Sequence, residues 1–392
     1  MKLPKLLPFI ASVLCCALVQ AQFIMPSPPT LDATSYLLME AQSKRILVEF
    51  NSREKLPPAS LTKIMTSYVA AAEMAAGRLE MDEMVPVSVV AWKTEGSKMF
   101  IREGTKVSVA DLLRGIIIQS GNDASVALAE YISGTEEEFA RLMNEYGKHM
   151  GLEDTYFMNS TGLPGEDHLS SALDNALLAR ALIVDYPEHY KIYSELEFTF
   201  NEIRQPNRNR LLTLDETVDG VKTGYTARAG YCLVASSERD GMRLISVVMG
   251  TESNDVRIKE TRKLFNYGFR NFEVKKLVGP ERTFSVAVSD GKEDSVEARL
   301  RTDIRHFVAK GSDQVDFKID TVDPLKAPVA KGDVVGTLRV TENGEEIAAE
   351  SLYAQSDVEK VGFFQGIFNA MADFFSTKPN AEKTKSNGSE SG

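Results

Sequence analysis

The spacing of apolar residues changes along the chain and predicts segments of different structure. Helical periodicity recurs in the first half, at residues 61–76, 110–118, 124–131, 136–150 and 173–184. Short apolar runs typical of strands occupy residues 36–39, 45–50, 231–236 and 243–249. Asp240-Gly241 separates the last two runs and predicts a tight hairpin turn. This part of the chain is therefore predicted to combine helices with antiparallel strands.

Beyond residue 283 the pattern changes to short strand-like runs separated by turns, at residues 284–288, 314–319 and 334–340. We predict a small all-β sandwich domain over residues 276–355, after a first domain over residues 22–275. No cluster of catalytic residue types occurs in the later domain. A spacer or an interaction module is the simplest interpretation of it.

The two ends of the chain differ from the middle. Residues 1–21 combine a basic start, an apolar run at 6–18 and a final Ala21, which is typical of a signal peptide cleaved after that alanine. An uncleaved anchor is the alternative, although the apolar run is short for a bilayer span. Residues 377–392 are polar and are predicted to be disordered.

Residues 356–376 predict an amphipathic helix. One face carries Val361, Phe364, Phe368, Met371 and Phe375, and the opposite face carries Glu359, Asn369 and Asp373. Such a helix either packs on the β-domain or lies in a membrane surface. Its place near the chain end, before a polar tail, favours the membrane surface.

Composition excludes several classes of function. The net charge of −11 argues against a nucleic-acid partner. The histidines show no metal-ligand spacing and no phosphate-binding loop is present, so we expect no metal and no cofactor. Cys232 is the only cysteine after residue 21, which rules out an internal disulfide in the processed chain. Its apolar surroundings predict a buried core residue.

The first candidate chemical motif is Ser60-Leu61-Thr62-Lys63, at the start of a predicted helix. Residues three apart share one face of a helix, so Ser60 and Lys63 are expected to touch. A serine hydroxyl becomes a good nucleophile when a neighbouring base removes its proton. Lysine serves as that base only when neutral, and burial or a nearby cation lowers its pKa. Taken alone, the motif is short, and serine is also a common helix cap.

A second motif, Ser120-Gly121-Asn122, interrupts two predicted helices. It is either a connecting turn or a source of polar groups for a cleft. In the second interpretation Ser120 relays a proton and Asn122 binds a substrate amide.

The third motif, Lys222-Thr223-Gly224, precedes the predicted hairpin and is expected on a strand. It is either a plain strand end or a cationic wall of the same cleft. As a wall, Lys222 lowers the pKa of Lys63 and binds a carboxylate. Thr223 then adds a hydroxyl, and Gly224 lets a substrate backbone come close.

In this order the three motifs resemble those of the penicillin-recognising serine acyltransferases, which include penicillin-binding proteins and serine β-lactamases. Flanking residues are similar to the low-molecular-mass D-alanyl-D-alanine carboxypeptidases, at residues 58–66, 120–124, 159–163, 219–224 and 230–235. The resemblance is close over residues 29–272 and looser beyond. It implies an α/β (α+β) penicillin-binding, transpeptidase-like domain with an antiparallel sheet and a helical subdomain, then the β-sandwich and the terminal amphipathic helix.

The resemblance also implies a role for each motif residue. Ser60 is the expected nucleophile, Lys63 its base, and Ser120 a proton-transfer group. The expected substrate-binding residues are Asn122, Lys222, Thr223, Gly224, Arg257 and Arg208. Arg257 matches by position the family arginine that helps to place the substrate's terminal carboxylate. Arg208 matches another arginine near the cleft, although a loop arginine is often only structural.

The implied reaction is removal of the terminal D-alanine from peptidoglycan stem pentapeptides. Ser60 attacks the peptide carbonyl, and backbone N–H groups of Ser60 and of the strand after Gly224 form the oxyanion hole. Water then hydrolyses the acyl-enzyme, and β-lactams act as covalent inhibitors that are released slowly. The implied location is the periplasmic face of the inner membrane, with the terminal helix on the membrane surface.

The chain departs from the family pattern at the expected cleft rim. Tyr225 stands where many members carry histidine, Ala227 replaces a commonly acidic residue, and Thr213 stands where many carry tryptophan. We expect these changes to affect specificity and rate rather than the class of reaction.

Other functions remain open at this point. A D,D-endopeptidase acting on crosslinks shares the same motifs. A serine β-lactamase needs a dedicated deacylating acid, for which Glu166 is a candidate only because it is acidic. A catalytically inactive wall-binding protein is disfavoured because all three motifs are intact.

Overall fold

The computed structural model describes residues 26–311, 315–321, 325–342 and 344–361. The predicted signal peptide, the polar tail and residues 362–376 of the predicted terminal helix lie outside these ranges, so they stay predictions. Every helix within the described ranges is too short or too polar to cross a membrane.

The first domain is organised around an antiparallel sheet. Its strands, in chain order, are β1 (Ser35–Glu40), β2 (Ile46–Phe50), β3 (Met84–Pro86), β4 (Lys106–Ser108), β5 (Glu197–Phe200), β6 (Ile203–Pro206), β7 (Val218–Thr226), β8 (Gly230–Arg239) and β9 (Met242–Thr251). Five of them form one sheet in the order β2-β1-β9-β8-β7, while β3–β4 and β5–β6 are separate pairs. Strand β7 is therefore an edge strand, with one side of its backbone unpaired by the sheet.

Both predicted hairpins are confirmed. Strands β1 and β2 pair antiparallel, as do β8 and β9. Asp240 and Gly241 both have positive φ angles, 51° and 77°, which a tight two-residue hairpin turn requires. Cys232 is fully buried on β8, as predicted.

Helices insert between the strands of this domain, and five of the eight described α-helices lie where the periodicity predicts them. They are α1 (Lys63–Ala75), α2 (Val89–Lys93), α3 (Val109–Arg114), α4 (Asn122–Ser133), α5 (Glu136–Met150), α6 (Ala172–Asp185), α7 (Pro187–Tyr190) and α8 (Asn254–Asn271). A π-helical turn (Gly115–Gln119) extends α3, and 3-10 turns lie at Ala59–Thr62, Lys191–Ser194 and Arg210–Thr213. The predicted helix at 61–76 is α-helical only from Lys63, because the residues before it form the first of these 3-10 turns.

The sheet is covered on both faces, since every residue of β1 is buried. Leu37 and Met39 lie in one hydrophobic core with residues of α1 and α3 to α6. Leu38 lies in a second core with Leu264 and Phe265 of α8. The sheet is thus a middle layer between the main group of helices and α8. The three sequence motifs lie at the start of α1, at the start of α4 and on β7.

The second domain consists of strands, as predicted. They are β10 (Phe272–Val278), β11 (Phe284–Ala287), β12 (Ser295–Arg299), β13 (Ile304–Ala309), β14 (Val315–Thr321), β15 (Val334–Glu342) and β16 (Glu345–Ala354). A five-stranded sheet has the order β11-β12-β16-β15-β14, and β10 pairs with β13. Val278 of β10 and Ile304 of β13 share one core with the five-stranded sheet. The strands of this domain begin at Phe272, earlier than the predicted boundary at residue 276.

The predicted start of the terminal helix is wrong. Val358 forms an antiparallel bridge with Val329, and Lys360 forms one with Gly291. Val358 is buried in the core of the second domain. Its apolar side chain therefore belongs to the β-domain, and the chain is not helical at this point.

Candidate active site

Ser60 and Lys63 lie where the 3-10 turn (Ala59–Thr62) becomes α1. Lys63 Nζ and Ser60 Oγ lie 3.2 Å apart, within hydrogen-bond distance. The two side chains therefore touch, as their spacing predicts. Lys63 is completely buried, at 0% exposure, while Ser60 lines an open cleft. The expected nucleophile is thus accessible and its expected base is not.

Two further acceptors hold Lys63 more closely than Ser60 does. Its Nζ donates to Asn122 Oδ1 and to the backbone carbonyl of Thr161, each at 2.6 Å. A neutral amine has two N–H donors and one lone pair. With both donors on Asn122 and Thr161, the lone pair remains for the Ser60 proton. The arrangement therefore suits a neutral lysine acting as a base.

The surroundings of Lys63 favour that neutral form. Burial, and to a lesser extent the positive charge of Arg208, lower the pKa of Lys63 to about 7. The carboxylates of Asp123 and Glu136 act in the opposite direction. Among the described residues, no carboxylate forms an ion pair with Lys63 that would restore the charge.

Lys222 is a second buried lysine close to other cations of the site. Burial, and then the charges of Lys63, Arg208 and Arg257, lower the pKa of Lys222 well below its usual value. After burial, the cation that lowers the pKa of Lys63 most is Arg208, because a guanidinium keeps its proton where a buried ammonium does not. The charges of Lys63 and Lys222 oppose each other, and the effect of Lys222 on Lys63 stays a prediction. Lys222 Nζ donates to the Thr223 carbonyl at 3.2 Å and is 1% exposed.

Ser120 presents an unpaired hydroxyl to the cleft. It ends the π-helical turn (Gly115–Gln119) with a left-handed backbone, φ 65° and ψ 35°. Its Oγ is buried and has no hydrogen-bond partner among the described residues. Buried hydroxyls are normally paired, so this one is available to a substrate, a water or a transferred proton.

Asn122 is the first residue of α4 and is held from both sides. Besides accepting from Lys63, it donates through Nδ2 to the Glu95 carbonyl at 2.6 Å. It lines a smaller cavity beside Ser60, together with Gly96 and Thr161. Asn122 therefore orients Lys63, and a substrate amide would have to share or replace one of these two bonds.

Asp123 fixes the loop above the cleft and was missed by the sequence interpretation. Its carboxylate accepts from the backbone N–H groups of Met99, Phe100 and Ile101, at 2.9 to 3.2 Å. An acidic residue in the first turn of a helix is the signal that was available. The position of Asp123 in the sequence does not indicate which loop its carboxylate binds.

The loop of residues 159–163 completes the lysine site. Asn159 Oδ1 accepts from the N–H groups of Thr161 and Gly162, which directs the Thr161 carbonyl at Lys63. Gly162 has a φ of 82°, and a Cβ added there would overlap the Ala59 carbonyl oxygen. Only glycine allows this approach. The sequence showed a turn here, without showing that it packs on the nucleophile.

The cleft in front of Ser60 has a volume of about 580 Å³. Its lining includes most of the predicted residues, namely Ser60, Ser120, Arg208, Thr223, Gly224 and Arg257. Gly224 lies on edge strand β7, and a Cβ added to it would approach the Pro58 carbonyl oxygen to 3.0 Å. The motif on β7 thus passes directly against the nucleophile turn.

Arg257 is buried and braces β7 against β8. It donates to the carbonyls of Gly224 at 2.9 Å and Cys232 at 3.0 Å, and twice to Asn254. A guanidinium has five N–H donors, which leaves one of them for the cleft. Burial lowers the pKa of Arg257 to about 10, so it remains a cation at neutral pH.

Arg208 reaches the cleft from the loop after β6. Its Nε donates to the Gln119 carbonyl at 2.7 Å, and its terminal nitrogens have no partner among the described residues. Arg208 lines both the cleft and the smaller cavity. A free guanidinium in that position is suited to bind a carboxylate in two-point fashion.

The departures from the family pattern have different positions. Tyr225 is 54% exposed, lines the cleft, and its ring centroid lies 4.3 Å from that of Tyr231. Thr213 is exposed and donates to the Arg210 carbonyl, but it does not line the cleft. Of these two departures, Tyr225 is the one placed to touch a substrate.

Comparison with known proteins gives the family. Residues 22–253 match the family model described as D-alanyl-D-alanine carboxypeptidase. The chain belongs to the D-alanyl-D-alanine carboxypeptidase family. Residues 272–360 match the family model of the C-terminal domain of penicillin-binding protein 5. This match begins at the first residue of β10 and ends one residue before the last described residue.

Individual carboxypeptidases of the family resemble the chain over most of its length. It is 44% identical over 353 residues to D-alanyl-D-alanine carboxypeptidase DacC of Escherichia coli (strain K12), covering 87% of this chain and 88% of that protein. It is similar in structure to penicillin-binding protein 5 from Haemophilus influenzae, with a TM-score of 0.70, 42% identity, and 86% and 100% coverage of the two chains.

A more distant structure holds a ligand. Penicillin-binding protein D2 from Listeria monocytogenes, in an ampicillin-bound form, has a TM-score of 0.58 and 29% identity to this chain. It covers 62% of this chain, and this chain covers 100% of it. A form of the same protein bound to cefotaxime matches equally well.

Proposed function

We propose that this protein is a serine-type D-Ala-D-Ala carboxypeptidase that removes the terminal D-alanine from peptidoglycan stem pentapeptides through an acyl-enzyme on Ser60. The observation that carries the proposal is the geometry of Lys63, which is buried, has a lowered pKa and lies 3.2 Å from the Ser60 hydroxyl. The names of the relatives support the substrate.

Acylation follows from the hydrogen bonds of Lys63. The neutral amine accepts the Ser60 proton as Oγ attacks the carbonyl of the penultimate D-alanine. Asn122 and Thr161 hold the resulting ammonium, since their oxygens are already at 2.6 Å. The N–H groups of Ser60 and Tyr225 are proposed to bind the oxyanion, because β7 passes against the nucleophile turn.

The substrate backbone is proposed to pair with the free edge of β7. Strand β7 ends the sheet order and lines the cleft with Thr223 and Gly224. A peptide added there gains backbone hydrogen bonds. Its terminal carboxylate would meet Arg208, Thr223 and the remaining N–H of Arg257, with Lys222 behind them.

Ser120 is proposed to complete both half-reactions. Its unpaired Oγ lies in the cleft wall and can pass the proton from Lys63 to the departing amino group. The C–N bond then breaks, and D-alanine leaves as a neutral amine. In the second half, a water loses a proton along the same route and attacks the ester, which frees Ser60.

Binding of β-lactams is proposed on the same site. The Listeria relative, with its ampicillin- and cefotaxime-bound forms, supports the proposal. Attack by Ser60 opens the lactam ring, but the amine stays attached and blocks the cleft. Slow hydrolysis is expected because no carboxylate among the described residues lines the cleft, and Glu166 is exposed outside it.

The D,D-endopeptidase alternative uses the same bond and the same site. It differs in the size of the leaving group, which the open cleft does not exclude. The rate of hydrolysis of a purified crosslinked muropeptide dimer, compared with that of a pentapeptide monomer, measures the ratio of endopeptidase to carboxypeptidase activity.

Export and membrane attachment are also proposals. Residues 1–21 support export, and the apolar residues spaced for a helix within residues 362–376 support attachment to a membrane surface. Fractionation of cells that produce the whole chain and a chain ending at residue 361 tests the attachment. Recovery of both chains in the soluble fraction would contradict it.

The decisive experiment uses a penicillin as an active-site label. Wild type and Ser60→Ala are incubated with benzylpenicillin, and their intact masses are measured. We expect one adduct on wild type, none on Ser60→Ala, and no D-alanine release by the variant. Full D-alanine release by Ser60→Ala would overturn the assignment of the nucleophile.

A further inference from the structure

Helix α1, which begins with Lys63, is joined to its surroundings by two buried hydroxyl–histidine pairs. Thr62 Oγ1 lies 2.9 Å from His168 Nε2, just before the helix. Ser67 Oγ lies 2.7 Å from His189 Nε2, further along it. Both histidines are buried, and neither Nδ1 has a partner among the described residues. The two pairs are thus chemically alike and differ in position.

The first pair joins Thr62 to the loop between α5 and α6, which includes residues 159–163. In this loop Thr161 accepts from Lys63, and Gly162 packs against Ala59. His168, further along the same loop, binds Thr62. The loop therefore clamps the nucleophile turn on both sides of Ser60. The second pair connects α1 to α7 and is outside this loop.

The chemistry of His168 fits a neutral clamp. Burial and the charge of Lys63 lower the pKa of His168 to about 4, so the ring is uncharged at neutral pH. The ring packs edge-on against Phe157, with centroids 6.1 Å apart, which fixes its orientation. A neutral ring forms the hydrogen bond without placing another cation beside Lys63. A lysine or arginine at this position would place a cation there.

We propose that His168 is a positioning residue for acylation: its hydrogen bond to Thr62 fixes the turn that sets the distance between Ser60 Oγ and Lys63 Nζ. The inference rests on the proposed acyl-enzyme mechanism. It assigns to Thr62, the residue directly before the lysine of the motif, the task of forming that bond. The Ser67–His189 pair stabilises the same helix but does not set the distance between Ser60 and Lys63.

The test compares variants that remove or keep the bond. Thr62→Val removes the bond with a side chain of the same shape, and His168→Phe removes it with a somewhat larger aromatic ring. Thr62→Ser and His168→Gln keep a partner for the bond. The measured quantities are the second-order rate constant of acylation by benzylpenicillin, from intact mass against time, and the unfolding temperature. Ser67→Ala and His189→Phe are the matched controls.

We expect Thr62→Val and His168→Phe each to lower the acylation rate constant about tenfold, the size of one hydrogen bond. The double variant should lose no more than either single variant, because both remove the same bond. Thr62→Ser and His168→Gln should remain within about threefold of wild type. The Ser67 and His189 variants should lose stability to a similar degree but acylate at the wild-type rate.

The other possible outcomes contradict the inference. Wild-type rates in Thr62→Val would overturn the inference, as would equal rate losses in Ser67→Ala, which would indicate general loosening of α1. Multiplicative losses in the double variant would also contradict it. If His168→Phe does not fold, the comparison of Thr62→Val with Thr62→Ser decides alone. Absence of any adduct on wild type would overturn the proposed function and this inference together.

Discussion

The Nζ of Lys63 is closer to the carbonyl of Thr161, at 2.6 Å, than to the Oγ of Ser60, at 3.2 Å. The base is therefore anchored by a residue distant in sequence and only then directed at the nucleophile. This order of contacts explains why the amine keeps one lone pair for Ser60. It also makes the lysine sensitive to groups outside the three motifs.

The acylation rate should depend on the charge state of Lys63. Because its pKa is about 7 and only the neutral amine accepts a proton, the rate constant should rise with pH to a plateau, with a midpoint near 7. Arg208→Gln removes a cation that lowers this pKa, so the midpoint should move up by about half a unit or more. The pH profile of acylation by benzylpenicillin measures both midpoints.

A control for this prediction lies in the same loop. Arg210→Gln also removes a positive charge from the cleft lining, but Arg210 is paired with Asp255 at 3.0 Å. The pH midpoint of acylation in Arg210→Gln should match that of wild type. An unchanged midpoint in Arg208→Gln would show that burial alone sets the pKa of Lys63.

Ser120→Ala should separate activity from stability. The Ser120 Oγ has no partner among the described residues, so its removal leaves no other group unpaired. We expect an unchanged unfolding temperature and a loss of about a hundredfold in D-alanine release. Ser246→Ala is the matched control, since its buried Oγ also lacks a partner but lies on β9 away from the cleft. Equal activity in both variants would remove Ser120 from the mechanism.

Gly162→Ala should damage the site through its backbone. The new Cβ would overlap the Ala59 carbonyl, next to the nucleophile, so we expect acylation to fall by more than about tenfold. Gly151→Ala has the same type of positive φ, 75°, but nothing lies within 4 Å of the added Cβ. It should cost about 1 kcal/mol of stability and leave acylation unchanged. Similar kinetics for the two variants would argue against the clamp at Ala59.

Stability should fall as the pH is lowered from 6.5 towards 4. Burial holds the pKa of His168 and His189 near 4, against 6.5 when unfolded, so the unfolded state binds more protons in this window. Each histidine contributes a loss of up to about 1.4 kcal/mol per pH unit there and none above it. Urea unfolding between pH 6.5 and 5 measures the slope.

The slope should decrease in the His168→Gln, His189→Gln double variant. The exposed His149 provides the control, because His149→Gln should leave the slope as in wild type. If the double variant keeps the full slope, the acid sensitivity comes from other groups.

Short-range chemistry was decided by the sequence. The spacing of Ser60 and Lys63 on one helical turn brings them together regardless of the rest of the chain. Asp240-Gly241 determines the β8–β9 hairpin, since few other residue pairs adopt positive φ twice. The apolar run around Cys232 was sufficient to place it in a buried strand. The family, and with it the fold of both domains, followed from such local motifs in order.

Long-range contacts were decided only by the tertiary structure. Thr161 and His168 bind the nucleophile segment from about a hundred residues away, and no local pattern specifies such a pairing. The pKa of Lys63 depends on complete burial and on Arg208, which the motif itself does not contain. Val358 likewise looks helical by spacing, yet pairing with Val329 and burial in the β-domain determine its conformation. The sequence alone was enough to predict the reacting groups, whereas desolvation and contacts across the fold decide which charge each one carries.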